Sequence, residues 1–226
     1  MNKKSAIRAI DQNGMLLAFP IDNRPEPKSL WSVFYPRSKM KWEWDEGGDN
    51  RVAELWFLRE GLSRSRKVVY VKWFRGRATF LSRDLFRALL AVYSRQPRFH
   101  ALSRDARDLL ALLEENSPRS TKQLKRASAL VGRALEGTYN RALQELWNRL
   151  LIVAFGEVDE GAFPSLAIGA TKWIFEDLFR EARELKVSEA EQVIDLHIRR
   201  SPLLLKQHLR ILAQLTEADA TKPLQT

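Results

Sequence analysis

The chemistry this chain is equipped for is carried by cations. Between residues 51 and 104 stand thirteen Lys and Arg residues against three acids, a local excess of +10 that equals the net charge of all 226 residues. The flanking stretches are close to neutral: +1 over residues 1–50, −2 over 105–184 and +1 over 185–226. Only a localised field steers a polyanion, so the position of this excess matters more than its size. Lys67, Lys72, Arg75, Arg77 and Arg83 are interleaved with Tyr70, Trp73 and Phe74. A guanidinium presents a planar fork that matches phosphate oxygens and also stacks on rings, so this mixture suits a nucleic-acid backbone. A solvated face, an anionic membrane surface or an acidic protein are the competing readings of the same charge. A second set, Arg141, Gln144, Glu145 and Asn148, shares one side of a helical pattern, and Arg, Gln and Asn are side chains that pair with purine edges. Arg119, Lys122, Lys125 and Arg126 form a smaller basic group upstream of it.

Other chemistries are poorly supplied. There is no cysteine, which excludes disulfides, thiolate metal sites and cysteine nucleophiles. His100, His197 and His208 lie far apart and outside metal-ligand spacings, so neither a metal nor another cofactor is expected. Asp195 and His197 are two residues apart on a helical pattern and point in different directions, so they make no proton-transfer pair. No apolar run approaches the roughly 18 residues of a membrane span. No apolar stretch with a small-residue cleavage site follows Met1-Asn2-Lys3-Lys4, so the expected location is the cytoplasm.

The elements that must position the cations follow from periodicity. Lys67 to Phe74 is dense in β-branched and aromatic residues and reads as a strand. Arg75-Gly76-Arg77 supplies a turn and Ala78 to Leu81 a returning strand, a hairpin with two arginines at its tip. Ser82 caps a helix whose apolar face holds Leu85, Phe86, Leu89, Leu90 and Tyr93. Five tryptophans, at 31, 42, 44, 56 and 73, read as the large rings of a small core, with base stacking as the functional alternative.

From Ser103 the pattern turns helical. One helix carries Ala106, Leu109, Leu110 and Leu113, a second opens on the Ser120/Gln123 capping box, and a third runs from about Thr138 to Leu151. Leu151 to Phe155 and Phe163 to Ile168 read as strands around a polar turn, Glu157 to Gly161. Helix, helix, helix, hairpin is the order of a winged helix-turn-helix. Lys172 to Leu185 is a further amphipathic helix, Ser188 and Glu191 make a second capping-box pattern, and helices continue to about Leu215 before a frayed tail. The expected fold is therefore α+β, mainly α. It comprises a Trp-rich, basic amino-terminal region with a hairpin (residues 1–100), a winged helix-turn-helix domain (101–184), and carboxyl-terminal helices with a tail (185–226).

Two stretches resemble a known family. Residues 67–82, the basic hairpin with the start of its helix, are similar to the corresponding part of the winged-helix proteins related to the AlkZ-type DNA glycosylases. So is the sequence running from Leu102-Ser103-Arg104-Asp105-Ala106 through Ser120-Thr121-Lys122-Gln123-Leu124 to Arg141-Ala142-Leu143-Gln144-Glu145-Leu146 and Leu151-Ile152-Val153. The similarity spans roughly residues 50–180 and rests on loose hydrophobic patterns. It implies association with DNA in a bacterial cytoplasm, in the context of DNA repair. The glycosylases carry a Gln-x-Gln or Gln-x-Asp triplet for the water and the departing base, and no such triplet occurs here.

Three functional readings remain at this level. The leading one is a protein that grips the backbone of duplex DNA through Lys67, Lys72, Arg75, Arg77 and Arg83 without reading sequence. In it, a wing bearing Glu157, Asp159 and Glu160 repels phosphate and leaves the winged helix as scaffold, with Arg119, Lys122, Lys125 and Arg126 a local exception at the second helix. The second is a glycosylase for alkylated bases. Its carboxylate would stabilise an oxocarbenium-like state, and the concentrated candidates are Glu43, Asp45, Glu46 and Asp49 beside Trp42 and Trp44, with Asp45 or Glu46 preferred. The third is a transcription regulator that reads an operator through Arg141, Gln144 and Asn148. The catalytic residues of an enzyme are not identified by any of these readings.

Overall fold

A computed structural model of the chain describes residues 1–42, 49–159 and 164–216. The fold is mixed α+β around one six-stranded sheet in the order β1-β3-β2-β5-β6-β4 with antiparallel neighbours. The strands are β1 (Met15–Leu17), β2 (Val68–Val71), β3 (Thr79–Ser82), β4 (Arg119–Ser120), β5 (Ile152–Val158) and β6 (Ser165–Ala170). The hairpin expected from residues 67–81 is β2 and β3, registered as Val69 to Leu81 and Tyr70 to Phe80. Its four strand residues on each side are all buried, because β1 covers one edge and β5 joins the other through Tyr70 and Ala154. That last pairing makes one sheet of segments that lie before and after residue 100, and a single hydrophobic core is continuous between them.

Helices cover the sheet where their apolar faces fall. The first three are α1 (Lys3–Asn13), α2 (Leu30–Phe34) and α3 (Asn50–Ser63), followed by α4 (Arg83–Ser94). Ser82 caps α4 through its hydroxyl, as its position before an amphipathic run predicts. After residue 100 come α5 (Arg104–Glu115), β4, α6 (Thr121–Ala127), α7 (Glu136–Asn148), β5 and β6. The capping box of α6 is formed on both sides, with Ser120 receiving the Gln123 amide and Gln123 receiving the Ser120 amide. The amphipathic segment after β6 is divided into α8 (Thr171–Ile174) and α9 (Glu176–Glu184) by Phe175, whose backbone leaves the helical region (φ −129°, ψ 56°). The chain closes with α10 (Val187–His197) and α11 (Pro202–Thr216). Helices α9 and α10 pack on α4, so the carboxyl-terminal part braces the helix that follows the basic hairpin. Among the described residues no helix is long and apolar enough to cross a membrane.

Three local expectations are corrected. Lys186, not Ser188, stands at the start of α10, and no side chain caps it, so Ser188 and Glu191 lie inside the helix. Strand β5 continues past Phe155 to Val158 because a bulge between Ala154 and Glu157 re-aims the chain. Gly156 adopts the left-handed φ of +80° there, and its amide is received by Ser63 at 2.9 Å. Glu157 is consequently a strand residue that turns inward instead of the first acid of a solvated wing; Glu160 and the rest of that turn lie outside the described residues. The tryptophans divide: Trp31 and Trp73 are core rings, Trp56 is half-buried and Trp42 is exposed, while Trp44 lies outside the described residues.

Candidate nucleic-acid interface

Much of the segment's positive charge is met by partners within the protein, on its surface as well as in its interior. Arg51, Arg59, Arg64, Arg83, Arg87 and Arg104 each face a carboxylate, on Asp49, Glu157, Glu60, Asp177, Glu181 and Asp108 respectively. Arg95 donates to the carbonyls of Ala182, Arg183 and Leu185 at the end of α9, where the helix dipole favours a cation. These seven of the thirteen cations are therefore engaged by groups of the protein itself. Of the segment's other cations, those that are exposed and meet no carboxylate among the described residues, Arg66, Lys67, Arg75 and Arg77, lie on or beside the hairpin.

The connection from β2 to β3, residues 72–78, is built to hold two arginines rigidly outward. Trp73 and Phe74 are fully buried and anchor it. Arg75 (φ 50°) and Gly76 (φ 71°) then turn the chain in the left-handed region, and the Arg77 amide donates back to the Phe74 carbonyl at 2.9 Å. Thr79 Oγ1 ties the Arg77 carbonyl at 2.8 Å, and the Ala18 amide ties that of Ala78 at 2.9 Å. Arg75 and Arg77 are exposed, Arg75 lying over the Phe74 ring at 5.2 Å, and neither meets a carboxylate among the described residues.

Two helices brace this loop from behind. Gln207 of α11, 4% exposed, donates Nε2 to the Trp73 carbonyl at 2.8 Å. Trp73 Nε1 donates to the Tyr93 hydroxyl at 3.3 Å, and that hydroxyl meets His208 Nδ1 at 3.0 Å. The polarity that satisfies all three groups has Tyr93 donating to a neutral His208. Burial above all, aided by the Arg199 charge and opposed by Asp195, pushes the His208 pKa down to about 4, in agreement with that assignment. From the other side, Gln144 of α7 donates Nε2 to the Lys72 carbonyl at 3.4 Å and to Asn148 Oδ1 at 2.8 Å. A Cβ on Gly76 would come within 2.9 Å of Gln144 Oε1.

The sequence candidates thus fall into three places. Lys72, Arg75 and Arg77 are brought together with Arg141, Gln144 and Asn148, because α7 lies against the loop. Arg141 is exposed there, Gln144 is half-buried and Asn148 is buried, so the last two serve each other and the loop backbone. Lys67 and Arg83 sit at the opposite end of the hairpin, about 17 Å from Lys72 for five residues of extended chain. There Arg83 is held by Asp177 and by the Arg66 carbonyl, and Lys67 is exposed. Lys122, Lys125 and Arg126 lie on α6 beside β4, three strand spacings or about 14 Å from β2. Lys125 is paired with Glu136 and lies over Tyr139 at 5.7 Å, whereas Lys122 and Arg126 are exposed.

Beside the loop, on the Tyr70 side of β2, is a cluster that sequence inspection did not single out. Arg59 of α3 and Glu157 of β5 form a nearly buried ion pair, and Arg59 also meets the Tyr70 hydroxyl at 3.5 Å. Arg59 stacks over Trp56 at 4.0 Å, Trp56 lies 6.3 Å from Phe19, and Phe19 meets Trp42 edge-on at 4.8 Å. Lys72 is half-buried at the border of this cluster; desolvation and then the Arg59 charge hold its pKa below the ordinary lysine value. The sequence separation of Arg59 and Glu157, 98 residues, leaves no local pattern by which to find them. The acidic run proposed for catalysis is only partly visible. Asp49 caps α3 and pairs with Arg51 at 2.5 Å, so its carboxylate is committed, while Glu43, Asp45 and Glu46 lie outside the described residues. Among the described residues no group of His, Asp and Glu is arranged to hold a metal ion.

No curated protein and no solved structure matches the chain. The family comparison is decisive where those are not: the pattern described as AlkZ related matches residues 1–213, reaching beyond the loop, the braces behind it and the Arg59–Glu157 cluster to nearly the whole of α11. The chain belongs to the AlkZ-related family.

Proposed function

We propose that this protein binds duplex DNA in the cytoplasm as part of DNA repair, gripping the phosphate backbone through the β2–β3 loop. The observation that carries the reading is the pair Arg75 and Arg77, outward, without a carboxylate partner among the described residues, on a loop pinned by Trp73, Phe74, Gln144 and Gln207. Cations held in advance lose little conformational freedom on binding, and each phosphate they neutralise releases counterions. Membership of the AlkZ-related family supports DNA as the polyanion and repair as the setting.

In this reading, residues 1–100 carry the grip, 101–184 act as a winged helix and 185–226 brace both. The order α5, β4, α6, α7, β5, β6, with β4 paired to β6, supports the winged-helix assignment. Arg141 extends the grip from α7, and Lys67, Lys122 and Arg126 supply weaker outlying contacts. The commitment of Gln144 and Asn148 to each other and to the Lys72 carbonyl argues against a regulator that reads bases with them. Base excision is the second reading, favoured by Trp42, 51% exposed on the aromatic ladder beside Arg59, as a ring on which an extruded base stacks.

Fluorescence anisotropy with a labelled duplex tests the main reading. Arg75→Glu with Arg77→Glu is expected to weaken binding more than tenfold, and Lys122→Glu with Arg126→Glu to weaken it less. Equal affinity of the loop variant and the parent protein would reject the assignment.

A further inference from the structure

We propose that the Lys72 amine is a nucleophile for the aldehyde of an abasic site in DNA, an inference that rests on the DNA-binding reading above. Lys72 stands where β2 passes into the loop, three residues before Arg75 and five before Arg77, so a backbone held by those arginines runs past it. It is half-buried and makes no ion pair among the described residues. Three other lysines are occupied, Lys28 by Asn13, Lys125 by Glu136 and Lys172 by Glu114, while exposed ones such as Lys67 and Lys206 keep their ammonium groups in water. The Glu157 carboxylate is taken by Arg59, and Lys72 feels the Arg59 charge. A lysine placed this way has its ammonium form disfavoured and its lone pair available, which is the condition for imine chemistry. None of the surrounding arginines can substitute, since guanidinium stays protonated.

The step is a condensation and needs no oxidant or reductant. The Nζ lone pair forms a bond to C1′ of the ring-opened deoxyribose while the carbonyl π pair moves to oxygen, giving a carbinolamine. Loss of that oxygen with the two former amine hydrogens, as water, leaves an imine between Lys72 and the sugar.

The test uses the full chain with a duplex containing one abasic site, sodium cyanoborohydride to reduce the imine, a denaturing gel and peptide mass mapping. The expected result is a covalent adduct on Lys72. Lys72→Arg should reduce it more than tenfold when compared at equal duplex occupancy, set by anisotropy, and Lys206→Ala, on exposed α11 surface, should retain it. An adduct on the Met1 amine or another lysine overturns the inference, as does absence of adduct from a protein that binds the duplex. Failure to bind any duplex removes the DNA reading and this inference with it.

Discussion

Acidification should loosen the loop through one buried imidazole. His208 is 6% exposed and accepts from Tyr93, which in turn receives Trp73 Nε1 at the base of the loop. Protonated His208 would have to donate from Nδ1, and the Tyr93 hydrogen would lose its acceptor in a buried setting. Because the folded pKa is pushed down to about 4 from an ordinary 6.5, the unfolded chain binds the proton first. The stability this histidine contributes is therefore complete above about pH 6.5 and is lost as pH falls towards 4, with little further loss below. Between pH 7 and 4.5 the difference in proton affinity amounts to about 2.5 kcal/mol at ~1.4 kcal/mol per pKa unit. Urea unfolding of the parent and of His208→Gln at several pH values isolates this contribution from that of the carboxylates, since glutamine can accept from Tyr93 but does not titrate. The parent should lose about 2.5 kcal/mol more than the variant across that interval. Parallel curves would refute the buried neutral histidine and with it the brace behind Trp73.

Two substitutions probe the surroundings of the same loop. Arg59→Ala would strand the Glu157 carboxylate, whose side chain is 11% exposed, and should cost about 3–5 kcal/mol in chemical denaturation; Arg59→Met with Glu157→Leu should recover most of it, because paired desolvation is then avoided. Gly76→Ala places a Cβ at φ 71° and 2.9 Å from Gln144, so a loss of about 1–2 kcal/mol is expected together with weaker duplex binding; an alanine variant as stable as the parent would show that the loop is not seated against α7.

What could be read from sequence was what is encoded locally. The hairpin, the Ser82 cap, the capping box at Ser120 and the third helix of the 101–184 segment were legible because alternation, caps and 3.6-residue periodicity operate over a few residues. The extension of β5 was not, since Gly156 looks like an ordinary turn residue until Ser63, distant in sequence, receives its amide. The basic segment was legible as a composition but not as a surface. Six of its arginines meet acids, and five of those acids, Asp49, Asp108, Glu157, Asp177 and Glu181, come from outside residues 51–104. Formal charge counts cannot see such pairings. Likewise α7 offers Gln144 and Asn148 on its polar side, as the spacing says, but only tertiary packing turns that side towards Lys72.

The central claim is that a small set of preset cations on the β2–β3 loop, rather than the whole basic segment, neutralises phosphate. Its most direct test is the salt dependence of duplex affinity, plotted as log K against log salt, for the parent protein and for Arg75→Ala with Arg77→Ala. Each phosphate contact contributes a slope of about −0.9 on B-form DNA, so loss of two contacts should make the slope shallower by about 1.8. An unchanged slope in the double variant would contradict the account.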